Sequence, residues 1–174
     1  GVAALRRHSQ AAIHGHRAGW AALTRGAMIG MDFQPYQAML RLAGVDHLHV
    51  SGLGGKFWED AGSVLASAES LLTPLADTGR DDRAMPVFSG GSTVLDVAPT
   101  YAGARTQDMI YACGGGILSH PDGLAAGSRS MRLAWEAAAE GIDLAVQARR
   151  HPMLARAIEA ARSRRAQATP AAAA

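Results

Sequence analysis

One rhythm runs four times through the chain: a short apolar run, a loop of glycine and polar residues, then a helical segment. The apolar runs lie at residues 11–16, 45–50, 85–89 and 108–113. Nearly continuous runs of this length suit parallel strands covered on both faces. Polar residues and glycines gather just past the end of each run, where parallel α/β folds bind ligands. Apolar spacing predicts helices over 33–42, 63–72 and 93–102, the last disturbed near Pro99, with Gly44 as a natural stop. On the first of these helices Tyr36, Met39, Leu40 and Ala43 share a face. Residues 17–30 read as irregular, 73–83 as a polar connector and 120–123 as a turn. Helices follow over 124–140, 142–150 and 153–165, and the tail 166–174 is expected to be disordered.

The 174 residues allow one domain, and 48% hydrophobic against 18% charged residues leaves apolar mass for a sizeable core. The formal charge of +2 comes from scattered arginines, and only 5% of residues are aromatic, so no nucleic-acid platform is expected. No run reaches membrane-spanning length. The single cysteine, Cys113, permits no internal disulfide, which fits a cytoplasmic setting. At the end of the fourth run it reads as a packing thiol rather than a nucleophile. The chain opens Gly1-Val2-Ala3 without methionine and is expected to be a piece of something longer.

Lys56 is the only lysine beside sixteen arginines, and it sits on the glycine loop after the second run. A chain that otherwise writes positive charge as arginine has a use there for a compact ammonium whose proton can move. The loop before it could act as a lid over a bound ligand. Two runs carry His-x-His, His14/His16 and His47/His49, and strand alternation aims each pair to one face. Such a pair can bind zinc, which makes a metallohydrolase one reading. The other is that His14 and His47 are hydrogen-bonded structural residues. Arg17, beside His16, can grip a phosphate or carboxylate with its fork, or form a salt bridge across the loop. Ser89-Gly90-Gly91 and Gly114-Gly115-Gly116 each follow a strand and precede a helix, where backbone N–H groups can hold an anion.

Taken together, Ile13-His14-Gly15-His16-Arg17-Ala18, Gly44-Val45-Asp46-His47-Leu48-His49, Gly54-Gly55-Lys56, Pro86-Val87-Phe88-Ser89-Gly90-Gly91 and Gly114-Gly115-Gly116-Ile117-Leu118-Ser119-His120-Pro121 resemble the RuBisCO large-chain family, in its RuBisCO-like branch. They stand in family order and spacing from about Ala11 to Glu140. The resemblance implies an α/β fold: strands five to eight of a (β/α)₈ TIM barrel over 1–141, then a helical extension over 142–165. It implies that His16 and Lys56 are catalytic, His16 moving protons and Lys56 meeting the group added to or lost from an enediolate. Arg17 and His49 would contact one substrate phosphate, Ser89, Gly90 and Gly91 would hold the substrate, and Gly114 and Gly115 would meet a second phosphate.

The implied cofactor is Mg²⁺, polarising a phosphorylated keto sugar, with family ligands that precede the fifth strand. The chain alone is therefore expected neither to bind Mg²⁺ in the family manner nor to turn over. The implied assembly is a homodimer or higher oligomer that supplies the missing barrel half. Departures from the carboxylase pattern fall at Val50, at the loop before Lys56, at Phe57-Trp58 and at Asp122-Gly123-Leu124. They point away from CO₂ fixation towards enolisation, isomerisation or decarboxylation, and Val50-Ser51-Gly52-Leu53 leans towards decarboxylases of sugar-acid breakdown. Genuine carboxylation, a His-x-His metallohydrolase and a non-catalytic phosphosugar-binding remnant are the alternatives.

Overall fold

A computed structural model describes residues 1–24, 30–54, 59–76, 79 and 81–168. The chain forms two compact units, one of residues Gly1–Ser51, Trp58–Ser89 and Thr106–Tyr111, the other of Gly52–Phe57, Gly90–Arg105 and Ala112–Ala174.

The first unit holds a parallel sheet in sequential order: β1 (His14–Gly15), β2 (His47–Ser51), β3 (Met85–Ser89) and β4 (Ile110–Tyr111). Each neighbouring pair is parallel, with His14 opposite His47, His49 opposite Val87, Ser51 opposite Ser89 and Phe88 opposite Tyr111. The expected architecture of successive parallel strands is thus observed. Leu48, Val50, Val87 and Phe88 are fully buried, each worth about 1.5–3 kcal/mol of apolar burial. Strand alternation leaves His47 and His49 half-buried on the opposite side of β2, as the sequence predicts.

Both outer strands are shorter than the runs that predict them. In place of residues 11–16, β1 is two residues long, because the N–H of Ile13 goes to the Asp46 carboxylate at 2.6 Å rather than to a ladder partner. The run 108–113 gives only Ile110–Tyr111, since β4 pairs with β3 alone.

Helices α1 (Val2–His8), α2 (Ala21–Thr24), α3 (Phe33–Ala43) and α4 (Ala61–Leu72) complete this unit. Gly44 takes the left-handed conformation that ends α3, φ 103°. The inward face of α3 is Phe33, Gln37 and Arg41, not the predicted Tyr36–Met39–Leu40–Ala43 face, and Met39 is half exposed. Polar bonds decide this. Gln37 donates to the Ser67 carbonyl, and the buried Arg41 donates to the carbonyls of Ser70, Thr73 and Asp82 around the end of α4. A cation at a helix carboxyl end satisfies carbonyls the helix leaves unpaired.

The second unit is helical among its described residues: α5 (Val97–Ala104), α6 (Gly114–Leu118), α7 (Gly123–Glu140), α8 (Leu144–Arg150) and α9 (Pro152–Ala168). The predicted disturbance near Pro99 falls earlier. A 3-10 turn at Val94–Asp96, closed by a Thr93–Asp96 capping box, precedes α5, and Pro99 sits in the first turn of α5, where no N–H is needed. The predicted glycine loop at 114–116 is instead the first turn of α6. Helix α7 packs on α5, α6, α8 and α9 through Met131, Leu133, Ala134 and Ala137. Contact with α6 is closest at Gly127, where a Cβ would lie 2.3 Å from the Ile117 carbonyl oxygen. Helix α8 starts later than predicted, after Asp143, whose carboxylate accepts from the N–H groups of Ala145 and Val146. Helix α9 runs three residues past the predicted end at Arg165, and residues 169–174 lie outside the described ones.

Candidate active site

Two clusters form along β1 and β2 and just past them. The first is made of imidazoles. Nε2 of His14 lies 2.7 Å from Nε2 of His49, and Nδ1 of His49 lies 2.7 Å from the Ser89 hydroxyl. The register brings them together, since β2 is central and faces β1 on one side and β3 on the other. His16 stands just past β1, its ring 4.5 Å from that of His49. Nδ1 of His16 accepts from the Ala18 N–H at 3.0 Å, which leaves the ring proton on Nε2. The edge of His47 packs on His14, ring centroids 5.7 Å apart.

These neighbours disfavour positive charge. Burial, then the nearby His16, His14 and Arg17, brings His49 down to about 4. Burial, then His47 and His16, also lowers His14. A neutral His49 has one ring proton for two partners. It donates either to Ser89, while accepting from His14, or to His14, while accepting from Ser89. The row is a short proton relay with two settings.

The second cluster is an ion pair. The Arg17 guanidinium meets both Glu59 oxygens, Nη2 to Oε1 at 2.9 Å and Nη1 to Oε2 at 2.9 Å. Their side chains are 13% and 6% exposed. The Ser51 hydroxyl donates to Glu59 Oε2 and accepts from Arg17 Nη1. The guanidinium carbon sits 3.9 Å from the centre of the Phe33 ring, itself packed on Trp20. Of the two readings of Arg17, the structure draws the salt bridge across the loop. Nothing in the sequence singles out Glu59, because its distance from Arg17 along the chain leaves no signal.

Gly90 and Gly91 follow β3 directly with φ of 111° and 91°, a backbone that L side chains rarely adopt. Gly114 and Gly115 begin α6, where the first-turn N–H groups have no helical partner. Burial pushes the Cys113 thiol up from its ordinary value, which agrees with a packing role. Lys56 and Gly55 lie outside the described residues. Among the described residues no three His, Cys, Asp or Glu side chains form a group able to hold a metal, so these residues do not fit Mg²⁺ by themselves. His14 is turned towards His49. No helix among the described residues is long and apolar enough to cross a membrane.

Residues 1–161 match the catalytic domain of the ribulose bisphosphate carboxylase large chain. The chain belongs to the ribulose bisphosphate carboxylase large-chain family, and its fold is α/β, the carboxyl-terminal half of that family's (β/α)₈ barrel. Within the family it falls in the RuBisCO-like branch. It is 66% identical over 158 residues to an uncharacterized ribulose bisphosphate carboxylase-like protein of Bordetella bronchiseptica, covering 89% of this chain and 37% of that protein. It is 49% identical to the 3-oxo-isoapionate-4-phosphate transcarboxylase/hydrolase of Xanthobacter autotrophicus, over 91% of this chain and 38% of that one. It is 44% identical to the 3-oxo-isoapionate-4-phosphate decarboxylase of Rhizobium etli, over 91% and 38%. The crystal structure of a rubisco-like protein from Burkholderia fungorum superposes with a TM-score of 0.85 at 44% identity, over 91% of this chain and 39% of that one. The chain thus spans less than two fifths of the length of these relatives.

Proposed function

We propose that the protein of which this chain forms the carboxyl-terminal barrel half removes CO₂ from a phosphorylated 3-oxo sugar acid. The observation that carries this reading is the pairing of a His16 whose proton sits on Nε2 with a His49 held neutral beside it. Two similar proteins that bear the names of a decarboxylase and a transcarboxylase support it.

In a 3-oxo acid the bond from the α-carbon to the carboxylate breaks, its electron pair flows into the carbonyl, and CO₂ leaves. The resulting enolate needs one proton at carbon. His16 is the donor once solvent has protonated Nδ1, the nitrogen that otherwise accepts from the Ala18 N–H: the imidazolium gives its Nε2 proton to carbon and a neutral ring remains. The His14–His49–Ser89 row orients the neighbouring imidazole and can pass a proton between its ends. Arg17 and His49 take the phosphate, Ser89 with Gly90 and Gly91 holds the sugar acid, and Gly114 and Gly115 offer N–H groups to an anionic end. Lys56 meets the departing carboxylate. The family's Mg²⁺ would polarise the carbonyl. Among the described residues no three His, Cys, Asp or Glu side chains group to hold it.

The reading includes assembly. Strands β1 and β4 are the outer strands of the sheet, so closing a barrel requires further strands against both. A homodimer or higher oligomer of the complete barrel is the form proposed to act.

The test is an assay of the complete protein with 3-oxo-isoapionate 4-phosphate for CO₂ release, beside ribulose 1,5-bisphosphate with labelled CO₂ for fixation. Release without fixation is expected, and it should fall more than about 100-fold in His16→Asn and in Lys56→Met, as for loss of a general acid. Fixation at a comparable rate, or unchanged release in Lys56→Met, overturns the reading.

A further inference from the structure

Both residues assigned above to a substrate phosphate are already engaged by the protein itself. Each ring nitrogen of His49 has a partner, and the fork of Arg17 is filled by Glu59. The Glu59 carboxylate lies where an incoming anion would have to lie. It meets Arg17 end-on, Nη1 and Nη2 each to one oxygen, a geometry a phosphate or carboxylate ligand can also use. Ser51 adds a hydroxyl to one of those oxygens, and Phe33 covers a face of the guanidinium. We propose that Glu59 is a built-in competitor for the Arg17 anion seat and sets its specificity, rejecting carboxylates and admitting a phosphate dianion. This rests on the phosphate reading of Arg17.

The physical reason is an exchange of like for like. A free carboxylate that enters must replace a carboxylate already tethered beside the same fork, and it gains no charge by doing so. Tethering gives Glu59 a large effective concentration, so a monoanion in solution loses. A phosphate dianion brings a second charge and further acceptor oxygens, so it can win. A phosphorylated sugar acid carries both groups, and this contest decides which end enters.

Glu59 has somewhere to go. It lines a groove of about 410 Å³ with Asp32, Ser63 and Ser67, which leaves room for its carboxylate to swing off Arg17. Apparent affinity is the intrinsic affinity multiplied by the fraction of time the seat is open, so removing the competitor must tighten anion binding.

The experiment is titration of the protein with inorganic phosphate and, separately, with acetate, for wild type, Glu59→Gln, Ser51→Ala and Arg17→Gln, with circular dichroism to check the fold. Expected are phosphate binding at least about tenfold tighter in Glu59→Gln, a smaller gain in Ser51→Ala, and acetate binding that appears only in the Glu59 variant. Ser51→Ala leaves the net charge unchanged, so its gain separates release of the seat from a general charge effect, and it decides the matter should Glu59→Gln not fold. Unchanged phosphate affinity in both, with binding lost in Arg17→Gln, overturns the competitor role and leaves the phosphate reading standing. Affinity that is also unchanged in Arg17→Gln overturns both.

Discussion

Nε2 of His14 and Nε2 of His49 lie 2.7 Å apart, so a single proton serves both nitrogens. Were both rings charged, two N–H groups would point at each other. Burial above all, then His16, this contact with His14, and Arg17 are why His49 resists protonation to about 4.

That resistance is a stability term with a definite sign. The unfolded chain protonates His49 near the ordinary 6.5, and the folded chain only near 4. Between those values the unfolded state binds more protons, so stability is present above about pH 6.5 and is lost as pH falls towards 4. Urea midpoints measured from pH 8 to 4 should fall through this window, and His49→Gln should flatten the fall. An equally steep fall in the variant would place the proton uptake elsewhere.

Arg41 has no exposed side-chain surface and gives its donors to three carbonyls and the Asp82 carboxylate. Arg41→Met leaves those acceptors without their donors, at an expected cost of about 3 kcal/mol or more. Arg41→Lys should recover little, because one ammonium cannot span the acceptors that a fork reaches. Denaturant unfolding of the three proteins checks this.

Gly127 sits where α7 crosses α6. A methyl there would press to 2.3 Å from the Ile117 carbonyl oxygen, which is backbone and cannot swing aside. Gly127→Ala is expected to cost about 2–3 kcal/mol, a fall in melting temperature of about 5–10 °C for a chain of this size. A melt within a degree of wild type would mean that α6 shifts freely.

Sequence reading succeeds where local pattern and packing agree. Residues 45–50 alternate Leu48 and Val50 against His47 and His49, and the structure buries the first pair and half-buries the second. It goes astray where a single side chain outweighs the pattern. The inward face of α3 turns on Gln37 and Arg41, residues that an apolar count places outside. The late start of β1 turns on Asp46, whose carboxylate takes the Ile13 N–H and also binds Arg6. In the site, His16, Arg17 and Ser89 are legible because each stands at or just beyond a strand end, and His49 because it alternates with the buried Leu48 and Val50. Glu59 is not, because 42 residues separate it from Arg17.

The sequence by itself determined the parallel α/β order, the family, and the residue types at the strand ends, since these follow from period, spacing and motif along the chain. Only the tertiary structure decided which of those residues meet. Strand register sets His49 between His14 and Ser89, and the return of the chain past Ser51 lays Glu59 on Arg17. Charge and hydrogen bonding act over a few ångströms of space, whatever the distance along the chain. A proton relay and an occupied anion seat therefore come into being only once the strands are aligned.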